Sequence, residues 1–245
     1  MQNSIIQVNP RGSLQVRYVG QEKTPVITID NFVVDTSEII DCACRAAAYG
    51  PDRHSSYPGV RAPLPRDYVL AVLNSIHRLL FQVYRVPAEL GLKPANTVYS
   101  LVSTAPEDLS LAQRVPHFDS TGPWHLAILH YLNPGDFCAT GLFRHRPTGF
   151  ERISQERLAR FIESSEEHVR AHGQPPRQYI SDSTDHFELY DRVGYRANRL
   201  VVYPGNLLHS GLVDPAKDIN PDPRTGRLTA NIFVDFIADS RGEVS

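Results

Sequence analysis

The sequence predicts a mainly β fold, a sandwich or barrel-like jelly roll with flanking helices (an α+β class). From residue 97 onward, short stretches with strand character follow one another and are separated by turn residues. The helical patterns lie mostly before that point. A parallel sheet would need strands and helices that alternate along the whole chain. Many short strands in a row therefore favour packed antiparallel sheets.

The N-terminal part is expected to contain one strand and two helices. Residues 25–32 (PVITIDNF) alternate β-branched residues and lead into a turn, which predicts a strand. Residues 35–48 begin with N-cap candidates and an acidic first turn, so we expect a helix there that stops at a Gly-Pro pair. After a loop at 52–65, apolar residues at helical spacing within 69–80 predict a second helix, with its apolar stripe in the core.

The remainder of the chain is expected to be strands with one helical insertion. The insertion covers about 154–171, is polar, and is closed by His-Gly and a Pro-Pro pair. A lid over a site and a dimer contact are both compatible with it. The expected strands are 98–103, 115–119, 124–132, 140–146, 187–193, 199–203, 209–213 and 227–236.

The composition is that of an ordinary soluble globular protein. The 245 residues suit a single domain, with 25–96 forming the N-terminal strand and flanking helices and 97–236 the β core. The formal charge of -2 offers no basic field for nucleic acid, and no apolar run reaches membrane-spanning length. Three cysteines cannot make a disulfide framework, and no secretory signal is visible. We therefore expect a cytoplasmic protein without nucleic-acid or membrane partners, and leave a homodimer open.

The pair His117 and Asp119 is the first candidate for chemistry. Residues i and i+2 of an extended chain point to one face, so an imidazole and a carboxylate can aim at one point. Those two groups make part of a site for a divalent transition metal. The chain has ten histidines, so the pair alone is a weak signal, and a third ligand must come from elsewhere. His209, in a Pro-Gly context, is the best candidate.

A second pair of the same type, His186 and Glu188, competes with it. The interval to His209 leaves room for only two or three strands at common strand and loop lengths. We expect this pair to be structural. His125 and His130 are expected to be strand histidines whose hydrogen bonds are satisfied within the protein.

Five motifs in this order resemble the iron(II)- and 2-oxoglutarate-dependent oxygenases, in particular the prolyl-4-hydroxylase-like branch, in the form of a bacterial subgroup. The motifs are His117-x-Asp119, Tyr131-Leu132-Asn133, Cys138-Ala139-Thr140-Gly141, His209 and Arg227-x-Thr229. The resemblance covers 26–236 and implies a double-stranded β-helix, the cupin-like jelly roll. It departs from the family pattern at 138–141 and in the long interval between His209 and Arg227.

The resemblance implies a role for each matched residue. His117, Asp119 and His209 match the iron ligands, a set that leaves three positions open on an octahedral metal. Arg227 matches the residue that binds the distal carboxylate of 2-oxoglutarate in a bidentate manner, with Arg224 as the alternative. Tyr131 matches a tyrosine that supports the cosubstrate. Thr229 and Asn231 lie on the same face of the predicted strand as Arg227, so either could add a hydrogen bond to the cosubstrate.

The implied activity is that of a dioxygenase using Fe(II), 2-oxoglutarate and O2. Oxidative decarboxylation to succinate would be coupled to hydroxylation or a related C–H oxidation of a small molecule, such as an amino acid or a natural-product intermediate. Because the ligand set keeps Asp119, halogenation is not expected. Trp124, Arg144 and Arg146 are candidates for substrate contact, the arginines as a basic rim for a carboxylate. A metal-dependent hydrolase or isomerase, and a non-catalytic binding or sensor module, remain alternatives.

Overall fold

A computed structural model of the chain describes residues 5–46, 49–51 and 57–238. Within these ranges the chain forms eleven strands and three α-helices. In chain order they are β1 (Ser13–Val19), β2 (Thr24–Asp30), α1 (Ser37–Arg45), β3 (Gly50–Pro51), β4 (Gly59–Pro63), α2 (Arg66–Tyr84), β5 (Leu90–Val102), β6 (His125–Tyr131), β7 (Thr140–His145), α3 (Gln155–His172), β8 (Phe187–Val193), β9 (Arg199–Pro204), β10 (His209–Gly211) and β11 (Thr229–Ala238).

The strands form two antiparallel sheets. The large sheet has eight strands in the order β1-β2-β9-β6-β11-β5-β4-β3, and the small sheet has the order β10-β7-β8. One apolar core lies between them, since Ala127, Val201 and Tyr203 of the large sheet cluster with Leu142 and Val193 of the small sheet. A mainly β protein with flanking helices is therefore confirmed.

The other face of the large sheet is covered by α1 and α2. Successive strand residues point to opposite faces. Ala127 and Val201 face the core between the sheets, so the next residues, Ile128 and Val202, face the helices. They pack with Val72 and Ile76 of α2 and with Ile39 of α1. The apolar stripe expected for the second helix is thus in the core, as predicted.

The helix α3 lies on the outside of the small sheet. Its Leu158 and Phe161 pack on a cluster that contains Phe143, Phe187 and Leu208. The sequence prediction of this helix was correct. No helix within the described ranges is both long and apolar enough to cross a membrane.

Several boundaries differ from the prediction. The segment 115–119 is not a strand, because it makes only an isolated bridge at His117. The strands β1, β3 and β4 were missed, and β5 begins at Leu90, so it crosses the expected boundary at 96/97. A β-bulge in β5, opposite Phe233/Val234, breaks the alternation of its side chains between the two faces of the sheet. The sequence therefore lacks a continuous strand pattern there. The predicted end of the first helix lies partly outside the described residues.

Candidate metal centre and adjoining cavity

Three side chains from two distant parts of the chain converge at the inner face of the small sheet. The ligand-type atoms of His117, Asp119 and His209 all lie within 4.8 Å of one another. The Asp119 carboxylate is 4.0 Å from His117 Nε2 and 3.8 Å from His209 Nε2. Two bonds of about 2.1 Å from a metal can span about 4.2 Å, so both separations are compatible with one shared ion. Within the described residues, this is the only group of three or more such side chains close enough to hold a metal ion.

The main chain positions the two histidines. His117 N–H donates to the His209 carbonyl at 2.9 Å, and His209 N–H donates back to the His117 carbonyl at 2.9 Å. The bridge extends the small sheet at the free side of β10 and puts both imidazoles on one face. Their ring centroids are 4.4 Å apart.

The surroundings of both imidazoles suit nitrogen ligands. His209 Nδ1–H donates to the Leu207 carbonyl at 2.8 Å, which leaves the lone pair on Nε2, the atom that faces Asp119. Although 40% of the His117 side chain is accessible, burial among protein atoms lowers its pKa well below the ordinary value. The nearby His209 and the positive charge of Arg61 lower that pKa further.

The loop after β9 positions the carboxylate ligand. The Gly205 carbonyl accepts the N–H of Asp119 at 2.6 Å and that of Ser120 at 3.2 Å, while Gly205 N–H donates to the His125 carbonyl at 2.8 Å. A Cβ on Gly205 would lie 2.3 Å from the His125 ring, so only glycine allows this close approach. His125 is itself held by Asp235, whose carboxylate is 2.7 Å from Nδ1.

The convergent side chains open into a cavity of about 90 Å³ between the two sheets. One water needs about 10–15 Å³, so the cavity can hold a small ligand. His117, Asp119 and His209 line it together with Arg227 and, from the same strand region, Thr229 and Asn231. The sequence-predicted metal and cosubstrate residues thus meet in one space, with the exception of Tyr131, which lies behind Arg227.

Arg227 is the buried cation of this cavity. It is 5% exposed, and its Nε donates to the Cys138 carbonyl at 3.1 Å. Its guanidinium carbon lies 5.3 Å from the ring centroid of Tyr131 and 5.6 Å from that of Tyr195, so two aromatic faces hold the group. The hydroxyl of Tyr131 is 2.8 Å from Thr140 Oγ1, and Thr140 also lines the cavity.

Asn231 carries a polar atom that the described residues leave without a hydrogen bond. Its Nδ2 donates to Ser100 Oγ at 2.9 Å, while its buried Oδ1 has no partner within the described part of the chain. Buried polar atoms are normally paired, so an unpaired one in a cavity wall points to a ligand. The donor set of two imidazoles and a carboxylate, with a nearby arginine, fits a divalent metal that binds an anionic chelator.

The three predicted substrate contacts are not among the residues that line this cavity. Arg144 is engaged by Glu151 and Glu188, with Nη1 2.7 Å from Glu188. Arg146 is on the surface and donates to the Thr184 carbonyl at 2.9 Å, and Trp124 packs against the core on the helix side of the large sheet. The basic rim expected from the sequence is therefore not beside the cavity.

The alternative residues also lie elsewhere. Arg224 is in the exposed turn before β11, with its Nη1 3.5 Å from Asp41, and does not line the cavity. Of the competing pair, His186 stacks on His168 at 4.0 Å between ring centroids, and Glu188 binds Arg144. His130, expected to be a strand histidine, contacts the Tyr68 hydroxyl at 2.9 Å and Asn198 at 3.1 Å.

Sequence reasoning missed part of the cavity wall. Tyr57, Arg61, Gln113 and Tyr179 line it as well. They come from the segment before α2, from a 3₁₀ turn and from the loop after α3, none of which carried a strand or motif signal. The register of β4, which the sequence did not reveal, turns Arg61 toward the cavity.

Comparison with solved structures gave distant similarities. A non-heme α-ketoglutarate-dependent carbocyclase, SnoK from nogalamycin biosynthesis, is 12% identical, with a TM-score of 0.48 over 90% of this chain and 85% of that one. HygX from Streptomyces hygroscopicus, with nickel, 2-oxoglutarate and hygromycin B bound, is 13% identical, with a TM-score of 0.45 over 90% and 87%. The Kdo hydroxylase KdoO is 11% identical, with a TM-score of 0.35 over 82% and 84%.

Comparison with curated proteins gave no match. A family model, by contrast, matches residues 10–234, a range that includes both sheets except the last four residues of β11, together with the metal-type triad and Arg227. The chain therefore belongs to DUF6445, described as a family of unknown function.

Proposed function

We propose that this protein is a non-haem Fe(II)- and 2-oxoglutarate-dependent oxygenase built on a double-stranded β-helix. One observation carries the proposal: a triad of two histidines and an aspartate and a buried arginine line the same cavity. A metal-dependent hydrolase on a similar fold would need the triad but not the arginine. The co-location of the two therefore favours an enzyme whose metal is chelated by a dicarboxylate.

In this proposal, His117, Asp119 and His209 hold the iron and leave three coordination positions open. Bound there with 2-oxoglutarate, the metal would supply oxidative chemistry that side chains lack. Arg227 binds the distal carboxylate of 2-oxoglutarate, since a guanidinium already oriented by Cys138 and two tyrosines offers two parallel N–H donors. Thr229 and Asn231 lie on β11, which begins two residues after Arg227, and the amide oxygen of Asn231, which has no partner among the described residues, marks a place where the ligand or an ordered water completes the hydrogen bonding.

The burial of His209 and Arg227 supports the same assignment. His209 is 6% exposed and Arg227 is 5% exposed, so charges in the deep part of the cavity are poorly screened by solvent. A dianion placed between the metal and the arginine would compensate both charges. The walls would also limit access of water to reactive species, as an oxidative mechanism requires.

The test is anaerobic binding of Fe(II) and 2-oxoglutarate to the purified protein. We expect a weak visible charge-transfer band in the wild type and no band in Asp119→Ala. The matched control is Asp136→Ala, because Asp136 is an exposed carboxylate that pairs with Lys217 on the surface. Absence of both the band and 2-oxoglutarate affinity from the folded wild-type protein would refute the proposal.

A further inference from the structure

We infer that the hydroxyl of Tyr203 donates a hydrogen bond to the metal-binding end of 2-oxoglutarate, so that Tyr203, and not Tyr131, contacts the cosubstrate; this inference rests on the proposed function. The family resemblance assigned that contact to Tyr131. No motif in the sequence assigned a role to Tyr203, which directly precedes the Pro-Gly pair before His209.

Tyr131 is already engaged elsewhere. Its hydroxyl is 2.8 Å from Thr140 Oγ1, and it is not among the residues that line the cavity between the sheets. Its ring centroid lies 5.3 Å from the guanidinium carbon of Arg227. Tyr131 therefore packs behind Arg227 and does not face a ligand in the cavity.

Tyr203 lines the cavity beside the metal-type ligands. It is 2% exposed, and its ring centroid is 4.8 Å from that of His209. It lies near the end of β9, two residues before Gly205, whose carbonyl accepts the N–H of Asp119. Tyr203 is therefore at the end of the cavity where a metal would bind.

The register of the large sheet separates Tyr203 from the arginine end. Tyr203 pairs with Ala127, and Ala127 pairs with Phe233 of β11, whereas Tyr131 pairs with Thr229 of the same strand. Residues directly opposite one another on neighbouring strands project to the same face of a sheet. Four residues of β11 separate the two rows, which is about 13 Å along the strand. The two tyrosines therefore belong to opposite ends of the cavity.

The Tyr203 hydroxyl is a donor that the protein leaves available. Within the described part of the chain it forms no hydrogen bond, whereas the hydroxyls of the buried Tyr84 and Tyr99 donate to main-chain carbonyls at 2.9 and 3.0 Å. Buried polar groups are normally paired, so this hydroxyl points to a ligand. Burial raises the pKa of Tyr203 well above its ordinary value of 10.0, so the hydroxyl keeps its proton at neutral pH.

The chemistry of 2-oxoglutarate matches this donor. Ionised carboxylates and keto oxygens accept hydrogen bonds and donate none. Arg227 suits the distal carboxylate, because a guanidinium binds such a group through two parallel N–H donors. A single hydroxyl beside His209 suits the other end, where the 2-oxo acid group would chelate the metal. Hydrogen bonds to ionised oxygens are strong, so Tyr203 would fix the orientation of that group.

The experiment compares Tyr203→Phe with the wild type in the full-length protein, loaded anaerobically with Fe(II) and titrated with 2-oxoglutarate. We expect the Kd of 2-oxoglutarate to rise about tenfold. The charge-transfer band should move to shorter wavelength, because the lost hydrogen bond no longer stabilises the electron-accepting orbital of the chelating group. The urea midpoint and the Kd of Fe(II) without cosubstrate should not change, since the hydroxyl has no partner among the described residues.

Tyr84→Phe is the matched control. Its buried hydroxyl donates to the Val202 carbonyl, and its side chain packs in the core on the helix side of the large sheet. This substitution should lower the urea midpoint but leave the Kd of 2-oxoglutarate and the band unchanged.

Oxalate locates the contact, because it chelates a metal through two oxygens and has no distal carboxylate. It is titrated calorimetrically into the Ni(II) protein. Tyr203→Phe should weaken oxalate binding about tenfold as well. Arg227→Gln should weaken the binding of 2-oxoglutarate much more than that of oxalate.

The outcomes separate this inference from the proposed function. If the wild type binds 2-oxoglutarate and Tyr203→Phe changes neither its Kd nor the band, only the inference fails. The inference is also wrong if Tyr131→Phe produces both effects and Tyr203→Phe does not. A Tyr203→Phe protein that binds 2-oxoglutarate more weakly but oxalate normally would place the hydroxyl at the distal carboxylate and overturn the assignment to the metal-binding end. A wild type that binds no 2-oxoglutarate would refute both proposals.

Discussion

His117 and His209 are hydrogen-bonded to each other through their main chains, and their imidazole rings also lie close together. Their N–H and carbonyl groups exchange two hydrogen bonds of 2.9 Å, and their ring centroids are 4.4 Å apart. The separation of the two imidazoles is therefore set by strand geometry and not by side-chain rotamers alone. In the proposed function, the metal site would therefore be preorganised before an ion binds.

Arg227→Gln should weaken 2-oxoglutarate binding without abolishing metal binding. A charged hydrogen-bonding partner contributes about 1.5–3 kcal/mol. The Kd of 2-oxoglutarate should therefore rise about 10- to 100-fold in an anaerobic titration of the Fe(II) protein. Arg224→Gln is the control, since Arg224 lies in the exposed turn. Equal effects of the two substitutions would contradict the assignment of Arg227.

Gly205→Ala should damage the metal centre through the backbone. The new methyl group would meet the His125 ring, and the carbonyl that holds Asp119 and Ser120 would have to move. Overpacking of this kind costs about 1–3 kcal/mol, so the urea midpoint should fall together with the affinity for Fe(II).

The matched control for that experiment is Gly194→Ala, because a Cβ on Gly194 would meet no atom within 4 Å. It should leave the urea midpoint and the Fe(II) affinity nearly unchanged. A Gly205→Ala protein that loses stability yet binds Fe(II) normally would show that the loop does not position Asp119.

Glu151→Gln should destabilise the protein while sparing the site. Glu151 is fully buried, binds Arg144, and accepts the N–H groups of Gln21 and Glu22. Breaking a fully buried ion pair can cost about 3–5 kcal/mol, but Glu188 remains as a partner of Arg144, so we expect a loss of about 1–3 kcal/mol. The unfolding free energy should fall by that order in urea titrations, whereas 2-oxoglutarate affinity should not change. Loss of affinity at unchanged stability would restore the sequence-based assignment of Arg144 to the site.

Glu188→Gln serves as the control for the same network. Its side chain is 37% exposed, although it also contacts Arg144 at 2.7 Å. Partly exposed ion pairs contribute about 1 kcal/mol or less. A stability loss as large as that of Glu151→Gln would mean that burial does not govern this network.

Stability should fall on acidification, in part through His130. Burial lowers the pKa of His130 from an ordinary 6.5 to about 4, although the hydrogen bond to Asn198 opposes the shift. The unfolded chain then takes up a proton that the folded protein excludes, so stability present above pH 6.5 is lost as the pH falls toward 4. The slope of unfolding free energy against pH in this window should decrease in His130→Gln by up to about 1.4 kcal/mol per pH unit. If the slope of unfolding free energy against pH were the same in both proteins, His130 would not be buried in its neutral form.

The sequence allowed most of the elements and the candidate triad to be predicted, but not three of the strands or the wall around the triad. The triad could be predicted because His117, Asp119 and His209 occur in the order of a known family pattern. Trp124, Arg144 and Arg146 do not line the cavity, and residue type alone does not tell which face of a strand is inward or which carboxylate is nearby. Arg61 was missed because its orientation depends on pairing with β5, a contact between strands that local pattern cannot encode.

The segment around His117 is joined to the small sheet by few backbone hydrogen bonds within the described part of the chain. The described backbone bonds are the exchange with His209 and the two N–H groups that share the Gly205 carbonyl. An ion shared by His117, Asp119 and His209 would crosslink this edge to β10 a second time. Because such an ion binds only the folded arrangement, metal loading would raise the protection of these amides against hydrogen exchange. Catalytic competence and the integrity of the sheet edge would then depend on the same atom.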